Sequence, residues 1–470
     1  MKILADPGHV LARGLDTLRT EMQLPAGFPP EAIAAAQAAV ARAPDAHVDR
    51  TGMPFVTLDP AGSTDLDQAF AIDESGSDLI LHYAIADVAW FVRDGDPLDQ
   101  EAWTRGTTQY LPDGRVGLYP PILSEGAASL LPEGPRPCVL FTVRLDPAGV
   151  PRLDGVARAL IRSRAKLAYD HVRPADLPSG FEEFARRMTA AEQRRGATRI
   201  DVPEQEVERD AQGRFDLRFR PRNVAEDRNA ALSLACNMAV ATALHDHRTG
   251  LFRVMAGPDD KDIARLRNVA RAYGLVWPHG ATLTQFERLL DPQDPRQAAF
   301  AQAIHRSGSG ARYQPFTDGV IPWHAAMAAP YAHATAPLRR LADRYVVQAA
   351  LAIANGQRVP ESVTAAFERL PKVMARAESL GGRIEHAVID LAEAVMLKDR
   401  VGERFDAVVT DTDQRGARIQ LCRAPVVAQL PVDGLVPGDE IVTRLVAADP
   451  VARRLEFALD RGGAAKAGAA

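Results

Sequence analysis

Cysteine is almost absent from this chain, and that scarcity removes two ways of holding a protein together. Cys138, Cys236 and Cys422 stand singly and far apart, so they build neither a zinc cluster nor a disulfide framework and are expected to be reduced, mostly buried thiols. Long apolar runs are missing too. No stretch approaches the ~20 consecutive apolar residues that a membrane span needs, and the N-terminus lacks a basic region followed by an apolar stretch with a cleavage site. Neither sign of charge prevails: 56 Lys and Arg stand against 61 Asp and Glu, a formal net charge of −5. These absences lead to the expectation of a soluble, cytoplasmic chain with no membrane among its partners and a monomeric state.

What is present is ample core material. With 470 residues, of which 46% are hydrophobic and 25% charged, the chain can bury a large interior, and length alone suggests about two to four domains. The most informative stretch is Asp59-Pro-Ala-Gly-Ser-Thr-Asp65-Leu-Asp67-Gln68-Ala69, where three carboxylates crowd a short loop. Phe55 to Leu58 reads as a buried strand and Phe70 to Ile72 as the start of another, so the loop has rigid supports. Like charges this close require cations, and Mg²⁺ or Mn²⁺ is the natural occupant of an all-oxygen site. Two such ions sharing carboxylates can stabilise both the attacking and the leaving oxygen of a phosphodiester in an in-line displacement. The plain alternative is a solvated acidic turn. An EF-hand is excluded, because the sixth and twelfth places counted from Asp65 hold Phe70 and Gly76. The Asp-x-Asp of aspartyl phosphatases directly follows an apolar strand, whereas Asp65 follows Ala-Gly-Ser-Thr.

Further motifs succeed the acidic loop in a fixed order. They are His82-Tyr-Ala-Ile-Ala-Asp87, Arg105-Gly-Thr-Thr-Gln-Tyr110-Leu-Pro112, Lys166-Leu-Ala-Tyr169, Ala235-Cys-Asn237, Phe252-Arg-Val and Tyr331-Ala-His-Ala-Thr335-Ala-Pro337-Leu-Arg339-Arg340. From about residue 52 to about 400 this series closely resembles the catalytic domain of the ribonuclease II and ribonuclease R (RNB) family, exoribonucleases that degrade RNA from its 3′ end. One motif could arise by chance; the ordered series does not.

The resemblance implies roles residue by residue. Asp59, Asp65 and Asp67 match three of the family's four metal-site aspartates, and Asp67 the one on which catalysis most depends. Gln68 holds the fourth place, where its carbonyl could still coordinate Mg²⁺ or orient a water, with a raised metal requirement. Arg339 matches the active-site arginine that meets the scissile phosphate, with Arg340 as its neighbour. Pro337 is expected to open a helix whose amides favour an anion, although Ala336 replaces the family's Ser. Glu385 aligns with a glutamate near the departing 3′ nucleotide; a solvated helix carboxylate is the alternative. Tyr110 and Tyr169 match tyrosines that pack against the RNA end, while Pro258 stands where ribonuclease II has a stacking Phe.

Charge patterning adds candidates. If Val156 to Lys166 is one strand, its period of two puts Arg158, Arg162, Arg164 and Lys166 in a row suited to a phosphate backbone; a charged edge strand that resists aggregation is the alternative. The net charge of −5 does not oppose RNA binding, since the local field governs. Arg186, Arg187, Arg194 and Arg195 read as a solvated helix face, and His245-Asp-His247 as a helix C-terminal turn.

The expected architecture is α+β, an RNB-type catalytic domain at 51–400 with an N-terminal helical module at 1–50 and a C-terminal OB-fold barrel at 401–461. Helices are expected at Val10 to Met22 and Pro30 to Ala43, either as a compact helix-turn-helix-like unit or as a strap on the catalytic domain. Strands are expected at Ile80 to Val92 and Cys138 to Leu145. Ala230 to Leu244, Asp259 to Tyr273, Leu338 to Ala354 and Val363 to about Lys398 read as helices, the last interrupted at Pro371 and Gly381-Gly382. Five short β-segments follow from Arg404 to Ala458 and resemble the family's RNA-binding OB-fold, with only Phe405 and Phe457 as aromatics available for stacking. The tail at 462–470 is expected to be disordered.

The resulting expectation is a Mg²⁺-dependent 3′→5′ exoribonuclease that hydrolyses single-stranded RNA to nucleoside 5′-monophosphates by a two-metal mechanism, Mn²⁺ being a substitute. One rival is a catalytically weakened RNA-binding regulator of the same fold. The other is a phosphodiesterase acting on short oligonucleotides.

Overall fold

The computed structural model describes residues 9–197, 204–209, 215–220, 223–287, 289–291, 294–307 and 310–460. The tail at 462–470 lies outside them. Helices α1 (Val10–Glu21) and α2 (Pro30–Val40) open the chain. Strands β1 (Val48–Asp49), β2 (Val56–Asp59), β3 (Gln68–Ser75) and β4 (Asp78–Ala86) lead to helices α3 (Val88–Phe91) and α4 (Pro97–Arg105). A hairpin of β5 (Gln109–Leu111) and β6 (Gly114–Val116) precedes β7 (Arg136–Leu145), β8 (Pro151–Ile161) and β9 (Ala165–Ala168).

Seven of these strands form one sheet in the order β1-β8-β7-β4-β3-β2-β9, antiparallel inside and parallel at its outer pairs. Its central strands are buried on both faces, which is why Cys138 to Leu145 reads as a nearly continuous apolar run. Only residues 162–164 join β8 to β9, yet those strands lie on opposite sides of the sheet. Three residues span roughly 10 Å at full extension, so the sheet must coil until its two sides approach.

That turn at 162–164 corrects the expectation of one basic strand. β8 ends at Ile161, and the row of Arg158, Arg162, Arg164 and Lys166 is divided between opposite sides of the sheet. The strand expected to reach Val92 likewise stops at Ala86, because the Asp87 carboxylate accepts the Trp90 amide at 3.1 Å and caps α3.

Helix α5 (Phe181–Arg195), the hairpin of β10 (Glu204–Arg209) and β11 (Phe215–Arg220), and the long α6 (Val224–Asp246) follow. α6 buries Ala231, Leu232, Ala235 and Ala239 in the core beneath the sheet. β12 (Leu251–Val254) pairs with β13 (Arg312–Pro315), and between them α7 (Asp260–Ala272), α8 (Leu283–Glu287) and α9 (Pro295–Ser307) surround a separate core of Leu266, Tyr273, Trp277, Phe286 and Phe300. The short β14 (Trp323–His324) and β15 (Ala329–Pro330) lead to helices α10 (Leu341–Ala354) and α11 (Glu361–Leu397).

The C-terminal unit is a five-stranded antiparallel sheet of β16 (Arg404–Asp413), β17 (Gly416–Leu421), β18 (Val427–Leu430), β19 (Glu440–Asp449) and β20 (Arg454–Leu459), in the order β18-β17-β16-β19-β20. It is a nearly closed barrel of the OB type. Phe405 and Phe457 meet edge to face inside it at 6.0 Å and are only 8% and 4% exposed. Neither is therefore available to stack on a base.

The N-terminal helices fall where their periodicity places them but join different cores. Leu11, Leu15 and Leu18 of α1 pack with Ile384, Val388 and Leu391 of α11, whereas Ala32, Ala36 and Ala39 of α2 belong to the central core. This is the arrangement of a strap and not of a compact helix-turn-helix.

α11 is also continuous, contrary to the expected breaks. Pro371 lies inside it, and Gly381 allows Gln109 to approach, since a Cβ there would lie 2.9 Å from the Gln109 side-chain oxygen. Burial of Phe367, Leu370, Met374 and Ala377 on both sides of the proline holds the helix together despite the missing amide. Replacing the proline should therefore recover helix stability: Pro371→Ala is expected to raise the unfolding free energy by up to about 3 kcal/mol, measured by urea titration, and a loss of stability would contradict this account.

Candidate active site

Two loops far apart in sequence meet at the mouth of the sheet. The first joins β2 to β3: Asp59 ends β2, and Asp67 directly precedes β3. Ser129 pins this loop by accepting the Leu66 amide at 2.9 Å and donating to the Thr64 carbonyl at 2.7 Å. Leu66 is fully buried beneath it. The second loop runs from Tyr331 to Arg340. Asn237 of α6 holds it by accepting the Ala334 amide at 2.9 Å and donating to the Tyr331 hydroxyl at 3.1 Å.

The loops are joined through Asp67. Its Oδ1 accepts the Leu338 amide at 2.7 Å, and its Oδ2 lies 3.5 Å from the Arg339 Nε. The Arg339 side chain is 45% exposed, so the guanidinium rests at the carboxylate yet faces outward. Residues 337–339 form a turn and α10 begins only at Leu341, which corrects the expected helix start. The amides expected to attract an anion there are already used, that of Ala336 by Asp343 at 2.8 Å and that of Leu338 by Asp67.

Asp65 is held from the β5–β6 hairpin. Arg115 donates to its carboxylate and bonds Glu125 at 2.8 Å, while the Tyr110 hydroxyl lies 3.3 Å from Asp65. Tyr110 and Arg115 are cross-strand partners. Arg115 is not among the residues that the sequence reading singles out, although a Pro-Asp turn at 112–113 followed by Gly114 could have revealed a hairpin that places it opposite Tyr110. Tyr110 is 53% exposed, so its ring is open to a ligand. Tyr169 is half-buried and its hydroxyl accepts from Asn229 at 3.0 Å.

Burial is costly for these carboxylates. Loss of water pushes the Asp67 carboxyl up to about 8 against the pull of Arg339 and the Leu338 amide. It pushes Asp59 up to about 6, opposed by Arg339 and Lys166 and reinforced by Asp65. Burial likewise raises the Tyr169 hydroxyl to about 12. A divalent cation fits this donor set in charge and hardness, because it would favour ionisation of oxygens that burial and mutual repulsion oppose. Asp59, Asp65 and Asp67 are the residues that could hold it. Among the described residues, no three His, Cys, Asp or Glu side chains form a finished cage, as Asp65 is drawn to Arg115 and Asp67 to Leu338.

Other candidates lie elsewhere. The Gln68 carbonyl oxygen accepts the hydroxyls of Tyr83 and, at 3.0 Å, of Ser233, so both its lone pairs are occupied and it does not act as a metal ligand in this arrangement. Arg340 makes a bidentate pair with the buried Asp343 at 2.9 and 2.7 Å and braces the loop, so its guanidinium is committed to that carboxylate. Arg158 is bound to Asp87 at 2.7 Å, beside His47. Arg164 donates to the Gly52 carbonyl at 3.1 Å, and Arg162 is exposed with no ion pair among the described residues. Only Lys166 of the four bases faces the acidic loop, through the Ala61 carbonyl at 2.9 Å.

Glu385 is exposed on α11 and makes no hydrogen bond or ion pair among the described residues. The carboxylate of that helix face turned toward the second loop is Glu378, two turns earlier, which pairs with Arg253 at 2.9 Å. Arg253 lies 4.7 Å from the Tyr313 ring, and its amide bonds the Tyr331 carbonyl at 2.8 Å. A seven-residue spacing puts Glu378 and Glu385 on one stripe, so periodicity alone does not choose between them.

Comparison with known proteins bears on the family and the fold. The family described as "RNB domain" matches residues 48–354, and "RNase II-type exonuclease C-terminal S1 domain" matches 403–460. The chain is 26% identical to ribonuclease R of Aquifex aeolicus, with 98% of this chain and 72% of that protein covered. It is 29% identical to exoribonuclease 2 of Cronobacter sakazakii, covering 84% of this chain and 64% of that one. Among solved structures, Mycoplasma genitalium RNase R in complex with ribose-methylated single-stranded RNA superposes with a TM-score of 0.84 at 19% identity, over 98% of this chain and 79% of that one. Yeast Ssd1, a pseudonuclease, superposes with a TM-score of 0.65 at 15% identity, over 94% of this chain and 59% of that one.

Two outcomes follow from the site's electrostatics and packing. A carboxyl raised from 3.8 to about 8 in the folded chain opposes folding once pH exceeds its unfolded value, and that deficit grows until pH passes the folded value. In EDTA, Asp67→Asn should therefore be more stable than the native chain at pH 8, with the gain vanishing near pH 4, as read from thermal unfolding. Gln68→Ala should lower stability by about 1–3 kcal/mol, because it strips a partner from two hydroxyls, while Mn²⁺ affinity measured calorimetrically stays near the native value. A large fall in that affinity would restore Gln68 as a ligand.

Proposed function

Because the chain belongs to the RNB family, we propose that it is a 3′→5′ exoribonuclease that hydrolyses single-stranded RNA to nucleoside 5′-monophosphates with divalent cations, Mg²⁺ first, at Asp59, Asp65 and Asp67. The observation that supports this reading is the junction of Asp67 with Leu338 and Arg339, where a cation with an outward face lies beside Asp67 and within electrostatic reach of Asp59. The chain spans 72% and 64% of the two ribonucleases compared above, so the activity of the whole relatives comes to it as a proposal and not as a transfer. The cytoplasm is the proposed location.

In the proposed reaction water attacks the last phosphodiester, the bond from phosphorus to the penultimate O3′ breaks, and the terminal nucleotide leaves with the phosphate on its 5′ oxygen. Bound divalent ions would lower the pKa of water and offset charge on the phosphate oxygens. Arg339 pairs with the phosphate and with the charge that develops on it, as an exposed guanidinium does best in bidentate form. The exposed Tyr110 ring offers a stacking face that does not read base identity. Tyr169, fixed by Asn229, lines the Asp59 side of the same site. Arg115 keeps Asp65 aimed at it while Glu125 balances the charge.

The rival reading is a silent RNA-binding relative, and yeast Ssd1, a pseudonuclease, shows this fold without nuclease activity. The three carboxylates and Arg339 favour an active enzyme. Incubation of the purified chain with 5′-labelled single-stranded RNA, with Mg²⁺ and with EDTA, tests direction, metal dependence and product size together. Progressive shortening from the 3′ end in Mg²⁺ only is expected, and an intact substrate in both lanes would favour the regulator. Asp67→Asn keeps an acceptor for the Leu338 amide while removing the charge, so it should reduce hydrolysis by about a hundredfold or more with RNA affinity, read by filter binding, nearly unchanged.

A further inference from the structure

The tip of the β5–β6 hairpin is held by the N-terminal helix. Arg19, in the last turn of α1, donates from both terminal nitrogens to the two oxygens of Asp113, each at 2.8 Å. Asp113 is one of the two residues of the hairpin turn. The same hairpin presents Tyr110 and Arg115, the two side chains that reach Asp65. At its base, the Thr108 amide bonds the Arg339 carbonyl at 3.0 Å and the Leu341 amide bonds the Gly106 carbonyl at 2.9 Å. Its base is thus fixed by the catalytic loop and its tip by α1.

α1 itself is anchored at three further points. Its Leu11, Leu15 and Leu18 share a core with Leu111 of the hairpin and with Ile384, Val388 and Leu391 of α11. Val116 packs against that core from the hairpin's second strand. Gly14 lets α1 lie directly on α11, because a Cβ there would come within 2.6 Å of the Leu391 side chain. Glu21, two residues beyond Arg19, pairs at 2.8 Å with Arg453 in the β19–β20 turn of the C-terminal barrel.

From this continuity we infer that α1 is a strut that sets the hairpin against the acidic loop, with Arg19 as a positioning residue for the site. The inference rests on the function proposed above. A two-strand hairpin with a three-residue strand on each side has little stability of its own, so its tip needs an external partner if Tyr110 and Arg115 are to keep their places. A bidentate guanidinium–carboxylate pair fixes orientation as well as distance, which a single contact would not.

The test compares the native chain with Arg19→Ala and with the exchanged pair Arg19→Asp/Asp113→Arg. Amide hydrogen exchange needs no substrate: Arg19→Ala should exchange faster at 109–116 and 60–67 with β4 and β7 unchanged, and the exchanged pair should recover most of the protection. On single-stranded RNA, kcat of Arg19→Ala should fall by about tenfold with KM little changed, and the exchanged pair should restore it. Native exchange at 109–116 in Arg19→Ala would overturn the strut, as would undiminished kcat in an enzyme that cleaves RNA. If the native chain cleaves no RNA, the functional reading fails separately, and the exchange data still decide whether α1 holds the hairpin.

Discussion

The hydrogen bond from the Leu338 amide to Asp67 ties together segments 271 residues apart and fixes where the site's anion and cation meet. A carboxylate this buried would be costly alone, and here a backbone donor and a guanidinium offset part of the loss of water. The turn that presents the amide is itself braced. Asp343 takes the Ala336 amide and both arms of Arg340, so the loop's shape is set one turn into α10 before any ligand arrives. Site geometry is therefore a property of the fold, as preorganised electrostatics require.

Most of the charge near the site is spent on structure. Arg115, Arg340, Arg253 and Arg158 each face a carboxylate within 3.0 Å or closer, and this explains how a chain of net charge −5 can still offer a basic contact. Arg339 stays largely in solvent, and Lys166 reaches the acidic loop from the outermost strand of the sheet. Local placement decides the field, not the total.

The overall α+β architecture and the order of segments were legible in the sequence because large elements carry either an apolar periodicity, as α1, α7 and α11 do, or a continuous apolar run, as β7 does. The place of the acidic loop was legible too, between a strand that ends at Asp59 and one that begins at Gln68. Tertiary partners were not. Nothing local reveals that Gln68 is saturated by Tyr83 and Ser233, 165 residues away in the second case, or that Arg340 is occupied by Asp343. Two kinds of boundary also failed for physical reasons. Pro371 and Gly381 break helices in isolation, but packing on both sides carries α11 through them. The basic residues from Arg158 to Lys166 all fall on one parity, with Leu160 as a gap, and a three-residue connection at the closing of the sheet divides them.

The N-terminal segment shows how a short element can matter beyond its length. Its two helices bury apolar stripes in different cores, so neither can be removed without exposing part of the catalytic domain. Arg42, just after α2, donates to the Phe91 carbonyl of α3 at 2.5 Å, and Arg105 of α4 reaches the Gly27 carbonyl at 2.5 Å. The second contact stitches the link between α1 and α2 to the end of α4, from which the chain enters the hairpin that Arg19 clamps. A strap bound at so many places restricts motion of what lies beneath it, and what lies beneath it here is the hairpin that orients Asp65.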